Sequence, residues 1–366
     1  MDVQYMKNAL ELAARARGRT SPNPMVGAVV VKEGQVVGRG YHQRAGTPHA
    51  EVHALREAGE KARGATLYVT LEPCCHHGRT GPCTEAVIGA GIRRVVLAMT
   101  DPNPLVSGGG VKKLRDAGIE VATGVLEEDA RVLNEVFIKY ITTGLPFIVA
   151  KAAVSLDGKI ATRSGKSKWI TGPEARAYGH QLRDWYDAIL VGIGTVLADD
   201  PSLTARPAGG RGRDPVRVVL DSQARLPLQA RVLNQDSRAP TVLAVTGRAS
   251  PARVDALRQA GAEVLVVNEG PRVDLAELVR ALGQRGITSV LLEGGAGVHG
   301  SALSAGMVDK VAWFVAPKII GGREAPGPVG GPGVEDPSEA AELERVRVSR
   351  LGADIYIEGY VTNRGG

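Results

Sequence analysis

All three cysteines of the chain fall in one short stretch, Cys74-Cys75-His76-His77-Gly78-Arg79-Thr80-Gly81-Pro82-Cys83, with His49-Ala50-Glu51 ahead of it. Thiols confined in this way cannot staple distant segments together, so the fold must come from packed cores. A histidine, two separated cysteines and a glutamate supply three ligands for a tetrahedral zinc and a carboxylate to move protons. Structural zinc sites fill all four positions with protein, whereas three ligands leave one position for water; the pattern therefore reads as hydrolytic. The candidate ligands are His49, Cys74 and Cys83, and Glu51 is the candidate acid–base. His53, at i+4 from His49, is a rival ligand, and Cys75 offers an alternative thiolate.

At 366 residues the chain is long for one core, and two domains are expected. The first six residues lack the basic start and apolar core of a signal peptide, and no apolar run approaches the roughly 18 residues of a membrane span. Together with the clustered thiols this predicts a cytoplasmic protein with no membrane partner. The 45 Lys+Arg against 39 Asp+Glu give a net charge of +6, a mild excess suited to a phosphorylated metabolite. No basic run with interleaved aromatics argues for nucleic acid.

In the first half, Met6, Leu10, Ala13 and Ala14 predict a helix over 3–17, and Gly27–Val31 and Gln35–Gly38 predict a hairpin turned by Glu33-Gly34. Thr47 as N-cap and Pro48 at the first helical position predict a helix to about Arg63 that carries His49 and Glu51 near its positive end. Thr66–Thr70 reads as a strand that delivers Cys74, and Cys83 opens a helix whose N-terminus favours its thiolate. Val95–Met99 and Ile119–Thr123 read as strands, and 111–118 and 132–140 as helices. Thr142-Thr143-Gly144-Leu145-Pro146 then breaks the pattern, which places a boundary between domains 1–145 and 146–366.

The second half alternates strands and helices. Strands are expected at 147–154, 188–192, 216–221, 241–246, 263–267 and 289–292, and helices at 173–187, 251–261 and 275–283, which argues for an α/β domain with a largely parallel sheet. Thr171-Gly172-Pro173-Glu174 matches a capping box. Leu343–Val348 and Ile355–Val361 suggest an antiparallel hairpin. Gly295-Ala296-Gly297-Val298-His299-Gly300 matches G-x-G-x-x-G between a strand and a helix, a turn whose amides can cradle phosphate, but the acidic residue expected about 20 positions on is missing.

His-x-Glu followed by Pro-Cys and a second cysteine resembles the zinc-dependent nucleobase deaminases. Their usual Pro-Cys-x-x-Cys is replaced by eight residues between Cys74 and Cys83. That long insert, with Pro22-Asn23-Pro24, Gly40-Tyr41-His42 and Asp101-Pro102-Asn103-Pro104, resembles the deaminase of riboflavin biosynthesis. Family members often carry serine at the place of Cys75 and proline at that of Gly81. The resemblance implies that His49, Cys74 and Cys83 bind Zn2+, that Glu51 shuttles the proton, and that Asn23, His42, His76, Arg79, Asp101 and Asn103 hold the substrate.

Lys151-x-x-x-Ser155-Leu156-Asp157-Gly158, Ser167-x-Trp169-Ile170-Thr171, Gly192-x-Gly194-Thr195 through Arg206, and Glu293-Gly294-Gly295 resemble the reductase of the same pathway. This implies a cytidine-deaminase-like αβα sandwich followed by a dihydrofolate-reductase-like α/β domain that uses NADPH. By the same resemblance, Ala153, Trp169, Thr195, Asp199, Ser222, Gly295, Ala296, Gly297, Val298, His299, Gly300 and Ser301 would contact the cofactor. Ser167, Arg183, Leu203, Arg206 and Glu293 would hold the substrate, with Arg183 and Arg206 as phosphate forks. The implied pair of reactions is deamination of 2,5-diamino-6-(5-phosphoribosylamino)pyrimidin-4-one, then reduction of the ribosyl group of 5-amino-6-(5-phosphoribosylamino)uracil to ribityl. Small phosphorylated pyrimidines are the expected partners, and a homo-oligomer the expected assembly. Two other readings share the zinc motif. A tRNA- or nucleoside-editing deaminase would carry the short cysteine spacing and a basic stripe; a regulatory protein with a structural zinc would need a fourth protein ligand.

Overall fold

The computed structural model describes residues 1–75, 81–103, 106–210 and 212–362, and the chain divides into two compact units, Met1–Gly144 and Leu145–Gly366. Among the described residues no helix is long and apolar enough to cross a membrane.

The first unit runs α1 (Asp2–Ala14), β1 (Gly27–Lys32), β2 (Gln35–Tyr41), α2 (Ala50–Ala58), β3 (Thr66–Leu71), α3 (Cys83–Gly89), β4 (Arg94–Met99), α4 (Gly109–Asp116), β5 (Glu120–Ala122), α5 (Glu127–Leu133) and α6 (Glu135–Thr143). Its five strands lie in the order β2-β1-β3-β4-β5, antiparallel about β1 and parallel from β3 to β5. Glu33 and Gly34 both take positive φ, the two-residue turn whose twist matches the strands on either side. Both faces of β1 are buried because a helix covers each. A Cβ on Gly27 would lie 1.9 Å from Ala9 O of α1, and one on Gly40 would lie 2.2 Å from Ala50 O of α2. Ala28 pairs with Gly40, so Gly27 and Gly40 face opposite sides of the sheet. Gly38 makes the same approach to α2, where a Cβ would lie 2.1 Å from Ala54 O.

Two local expectations change here. Thr47 does not cap α2: its hydroxyl closes a turn with Arg44 O at 2.7 Å, and His49 itself is the N-cap in extended backbone. The helix ends at Ala58 and gives way to a 3₁₀ turn that reaches Ala62. The single helix expected over 132–140 is broken at Asn134, whose side chain accepts from Met25 N at 2.8 Å and donates to Met25 O at 3.0 Å.

The second unit runs β6 (Phe147–Ser155), α7 (Pro173–Trp185), β7 (Ala188–Gly192), α8 (Ile193–Asp199), β8 (Val216–Leu220), β9 (Thr241–Thr246), α9 (Pro251–Gln259), β10 (Glu263–Asn268), α10 (Leu275–Gln284), β11 (Ser289–Leu292), α11 (Ala296–Ser304), β12 (Lys310–Ala316), β13 (Glu342–Leu351) and β14 (Asp354–Thr362). Nine strands order as β10-β9-β8-β7-β11-β6-β12-β14-β13, parallel as far as β12 and antiparallel through the closing hairpin. Alternate residues of β7 enter two separate cores: Leu190 packs with Val218 and Leu292, whereas Ile189 and Val191 pack with Val219 and Leu243. A parallel sheet buried on both faces leaves its strand ends as the natural place for a ligand.

The capping box at Thr171 does not form. Gly172 is the N-cap of α7, and its N–H donates to Asp354 Oδ2 at 2.6 Å, a partner far along the chain. Helix α8 and strand β12 have no counterpart among the sequence expectations.

Candidate active sites

In the first unit, three element ends converge. His49 caps α2, Cys74 follows β3, and Cys83 opens α3 behind Pro82. His49 Nδ1 lies 3.1 Å from Cys83 Sγ and 3.6 Å from Cys74 Sγ, and the three candidate ligand atoms all lie within 4.8 Å of one another. Among the described residues this is the one histidine, cysteine and carboxylate cluster able to hold a metal; neither His53 nor Cys75 joins it. The Cys75 sulfur instead sits against Gly109, where a Cβ would lie 3.0 Å away.

Hydrogen bonds from Cys83 and His49 pull the Cys74 thiol down to about 4 against the opposing effect of burial, while contact with Cys74 and burial push Cys83 up. The pair thus holds one ready thiolate, and a cation would draw out the second proton. Glu51, in the first turn of α2, is 3 % exposed, and its Oε2 has no hydrogen-bond partner among the described residues. Burial pushes its carboxyl above the ordinary value. A buried, unsatisfied carboxylate beside two thiols and an imidazole fits Zn2+ with an open position for water.

Asn23 and His42 come to the edge of this cluster. Asn23 Nδ2 lies 3.1 Å from His42 Nε2, and the His42 and His49 rings meet edge to face with centroids 5.4 Å apart. With Nε2 accepting from Asn23, His42 Nδ1 donates to Pro48 O at 3.3 Å, and burial holds this imidazole below its ordinary pKa and thus neutral. Asp101 and Asn103 lie in the loop after β4, and His76 and Arg79 lie outside the described residues. Sequence reasoning missed the residue that organises this loop. Glu72, just before Pro73-Cys74, is buried and accepts from Asp101 N, Gly108 N and Val111 N, each at 3.0 Å. Its place in Leu71-Glu72-Pro73-Cys74, a charge at the end of an apolar strand, was the available signal.

In the second unit, a cavity of about 1250 Å³ follows the C-terminal ends of the parallel strands. It is lined by Ala153, Trp169, Thr195, Asp199, Ser222, Gly295, Gly297, Val298, His299 and Ser301, and by Ser167, Arg183, Leu203, Arg206 and Glu293. Ala296 and Gly300 do not line it. Gly300 packs against Gly330, whose O would lie 1.9 Å from an added Cβ, and Ala296 O accepts from Gly330 N at 2.8 Å. Gly295 takes φ +76° as N-cap of α11, so its backbone amides face a cavity large enough for a dinucleotide and a second small molecule. These residues fit NADPH.

Arg183 is not a free fork. Its Nε and Nη2 each donate to Glu293 at 2.7 Å and its Nη1 donates to Thr204 O at 3.2 Å. Lys151 Nζ reaches Glu293 Oε2 at 3.4 Å. Burial opposes the charge on Glu293, yet Arg183 and Lys151 hold its carboxyl down to about 2. Lys151, a lone cation in an apolar strand, was visible in the sequence and went unassigned. Leu203, on the same cavity wall, is buried with φ +54°, a strained backbone of the kind that collects at ligand sites. His180, also on the wall, is pushed down to about 4 by burial and by the charges of Arg183 and Arg206.

Fold and sites together define the class: a zinc-dependent deaminase joined in one chain to a nicotinamide-dependent reductase. Residues 1–99 match the cytidine and deoxycytidylate deaminase zinc-binding region, and residues 146–357 match the RibD C-terminal domain. The riboflavin biosynthesis protein RibD of Aquifex aeolicus is 49% identical over 357 residues, 98% of each chain. RibD of Acinetobacter baumannii superposes with a TM-score of 0.89 at 40% identity over 99% of each chain. A Thermotoga maritima protein, described as a diaminohydroxyphosphoribosylaminopyrimidine deaminase and 5-amino-6-(5-phosphoribosylamino)uracil reductase, gives a TM-score of 0.86 at 41% identity over 98% of each chain. The chain belongs to the RibD family, the bifunctional deaminases and reductases of riboflavin biosynthesis. Its cofactors are Zn2+ and NADPH.

Proposed function

We propose that residues 1–145 deaminate 2,5-diamino-6-(5-phosphoribosylamino)pyrimidin-4-one, and that residues 146–366 reduce the ribosyl group of the resulting 5-amino-6-(5-phosphoribosylamino)uracil to ribityl. In this reading His49, Cys74 and Cys83 hold the zinc, which when bound makes water nucleophilic near neutral pH. Glu51 takes a proton from that water and delivers it to the departing amino group. The observation that carries the reading is Glu51 itself, a buried carboxylate whose Oε2 has no partner among the described residues and which lies beside the ligand cluster. Asn23 and His42, held to each other, form one wall for the pyrimidine; Asp101 and Asn103, with His76 and Arg79, complete the substrate contacts.

In the second unit, NADPH supplies the hydride, and the protein's work is to press its nicotinamide against the sugar carbon that accepts it. The buried Arg183–Glu293–Lys151 network fixes the floor on which that sugar rests, and Ser167, Leu203 and Arg206 flank it. Arg206, bonded to Thr204 Oγ1 and 3.4 Å from His180 Nε2, is the more accessible phosphate ligand of the two arginines. The free thiols support a cytoplasmic protein, and a homo-oligomer is the proposed assembly. A coupled assay tests both halves on one preparation: ammonia release from the diaminopyrimidine phosphate, then loss of NADPH absorbance. No ammonia overturns the first assignment; NADPH left unoxidised in the presence of the deaminated product overturns the second.

A further inference from the structure

Five arginines line the reductase cavity, and four are already committed. Arg183 is held by Glu293, Arg206 by Thr204 and His180, and Arg231 lies 3.4 Å from Asp200 Oδ2. Arg176 donates to Thr171 O at 2.7 Å and stacks over the Trp169 ring at 4.7 Å. The guanidinium of Arg272, between β10 and α10, has no partner among the described residues.

The backbone around Arg272 is nevertheless pinned. Its O accepts from Asn268 Nδ2 at 2.9 Å, and the same Asn268 side chain accepts from Asp274 N at 3.1 Å. The next residue, Val273, donates its N–H to Ser222 Oγ at 3.1 Å. The nearest acid in sequence, Asp274, turns its carboxylate to Glu277 N at 2.9 Å to cap α10. A fixed backbone therefore presents an uncommitted planar cation to the cavity.

Its position along the cavity says what it meets. Lys151, Arg183 and Glu293 occupy the β6–β11 end, where the substrate must face the nicotinamide. Strands β6 and β10 lie five pairings apart in the sheet order, about 24 Å at ordinary strand spacing. The adenosine half of an extended dinucleotide then falls at the Ser222–Arg272 end. NADPH differs from NADH by one phosphate on the adenosine ribose, and a guanidinium fork matches phosphate geometry.

We propose that Arg272 binds the 2′-phosphate of NADPH and so sets the preference of this reductase for NADPH over NADH. The proposal rests on the reading that the nicotinamide lies at the Glu293 end of the cavity. It is tested by calorimetric titration of the full-length protein and its Arg272→Ala and Arg272→Lys variants with NADPH, NADH, 2′,5′-ADP and 5′-AMP, with melting temperatures to verify folding. Loss of a charged hydrogen-bond partner predicts that NADPH and 2′,5′-ADP bind Arg272→Ala about tenfold or more weakly. NADH and 5′-AMP should keep their affinities, and Arg272→Lys should fall between. Equal weakening of NADPH and NADH, or NADPH affinity unchanged in both variants, overturns the role of Arg272. If Arg272→Ala fails to fold, the Lys variant decides: selectivity equal to that of the unsubstituted protein overturns the proposal. Unsubstituted protein that binds neither nicotinamide would overturn the cofactor placement itself, a failure distinct from the loss of Arg272's role.

Discussion

Glu51 in the first unit and Glu293 in the second are both nearly fully buried carboxylates, and their surroundings treat them in opposite ways. Glu51 keeps an oxygen with no partner among the described residues, and burial drives it toward the protonated form. Both Glu293 oxygens are occupied by Arg183 and one also by Lys151, which keeps the group ionised. Burial without satisfaction costs free energy that a fold tolerates only where the group has work to do. Burial with full pairing makes a rigid strut. The same residue type is thus a proton carrier in one unit and a brace in the other.

Three substitutions probe that contrast. Glu51→Gln keeps the shape and removes the base; deamination should fall about 100- to 10,000-fold, with zinc content by metal analysis and NADPH oxidation by the reductase unchanged. Retained ammonia release would erase the distinction between the two carboxylates. Glu293→Gln leaves Arg183 buried with a neutral partner, a loss of about 3 kcal/mol, read as an earlier melting transition of the second unit while deamination persists. A second unit that melts unchanged would mean that Glu293 is not a strut. Glu72→Gln replaces one acceptor oxygen by an NH₂, which then faces either Val111 N or the pair Asp101 N and Gly108 N, while the remaining oxygen keeps its partners. It should destabilise the first unit by about 1–3 kcal/mol and raise the KM for deamination more than it lowers kcat. A fall in kcat alone would place Glu72 in the chemistry and not in the shape of the loop.

The zinc cluster was legible because its chemistry is carried by rare residues at telling spacing, and the hairpin at Glu33-Gly34 because local turn geometry decides it. What could not be read locally depends on partners far along the chain. Asn134 breaks a helix that periodicity would continue, since its side chain is worth more bonded to both backbone groups of Met25. Gly172 displaces Thr171 as a cap because Asp354 supplies the acceptor. Helix α8 contains Gly194 and is short, so propensity argues against it; strand β12 finds its place only by pairing with β6 and β14. Arg183 looked like a phosphate fork because a sequence gives a side chain's donors without saying whether an acceptor already holds them.

Gly38 and Gly40 let the backbone of α2 lie directly on β2, and α2 carries both His49 and Glu51 at its start. Alanine at either position would wedge the helix outward and carry the imidazole away from the two sulfurs. A variant at a residue with no side chain and no chemistry would then present as a metal-deficient enzyme, and a survey of inactive alleles sorted by zinc content would group these glycines with the ligands themselves.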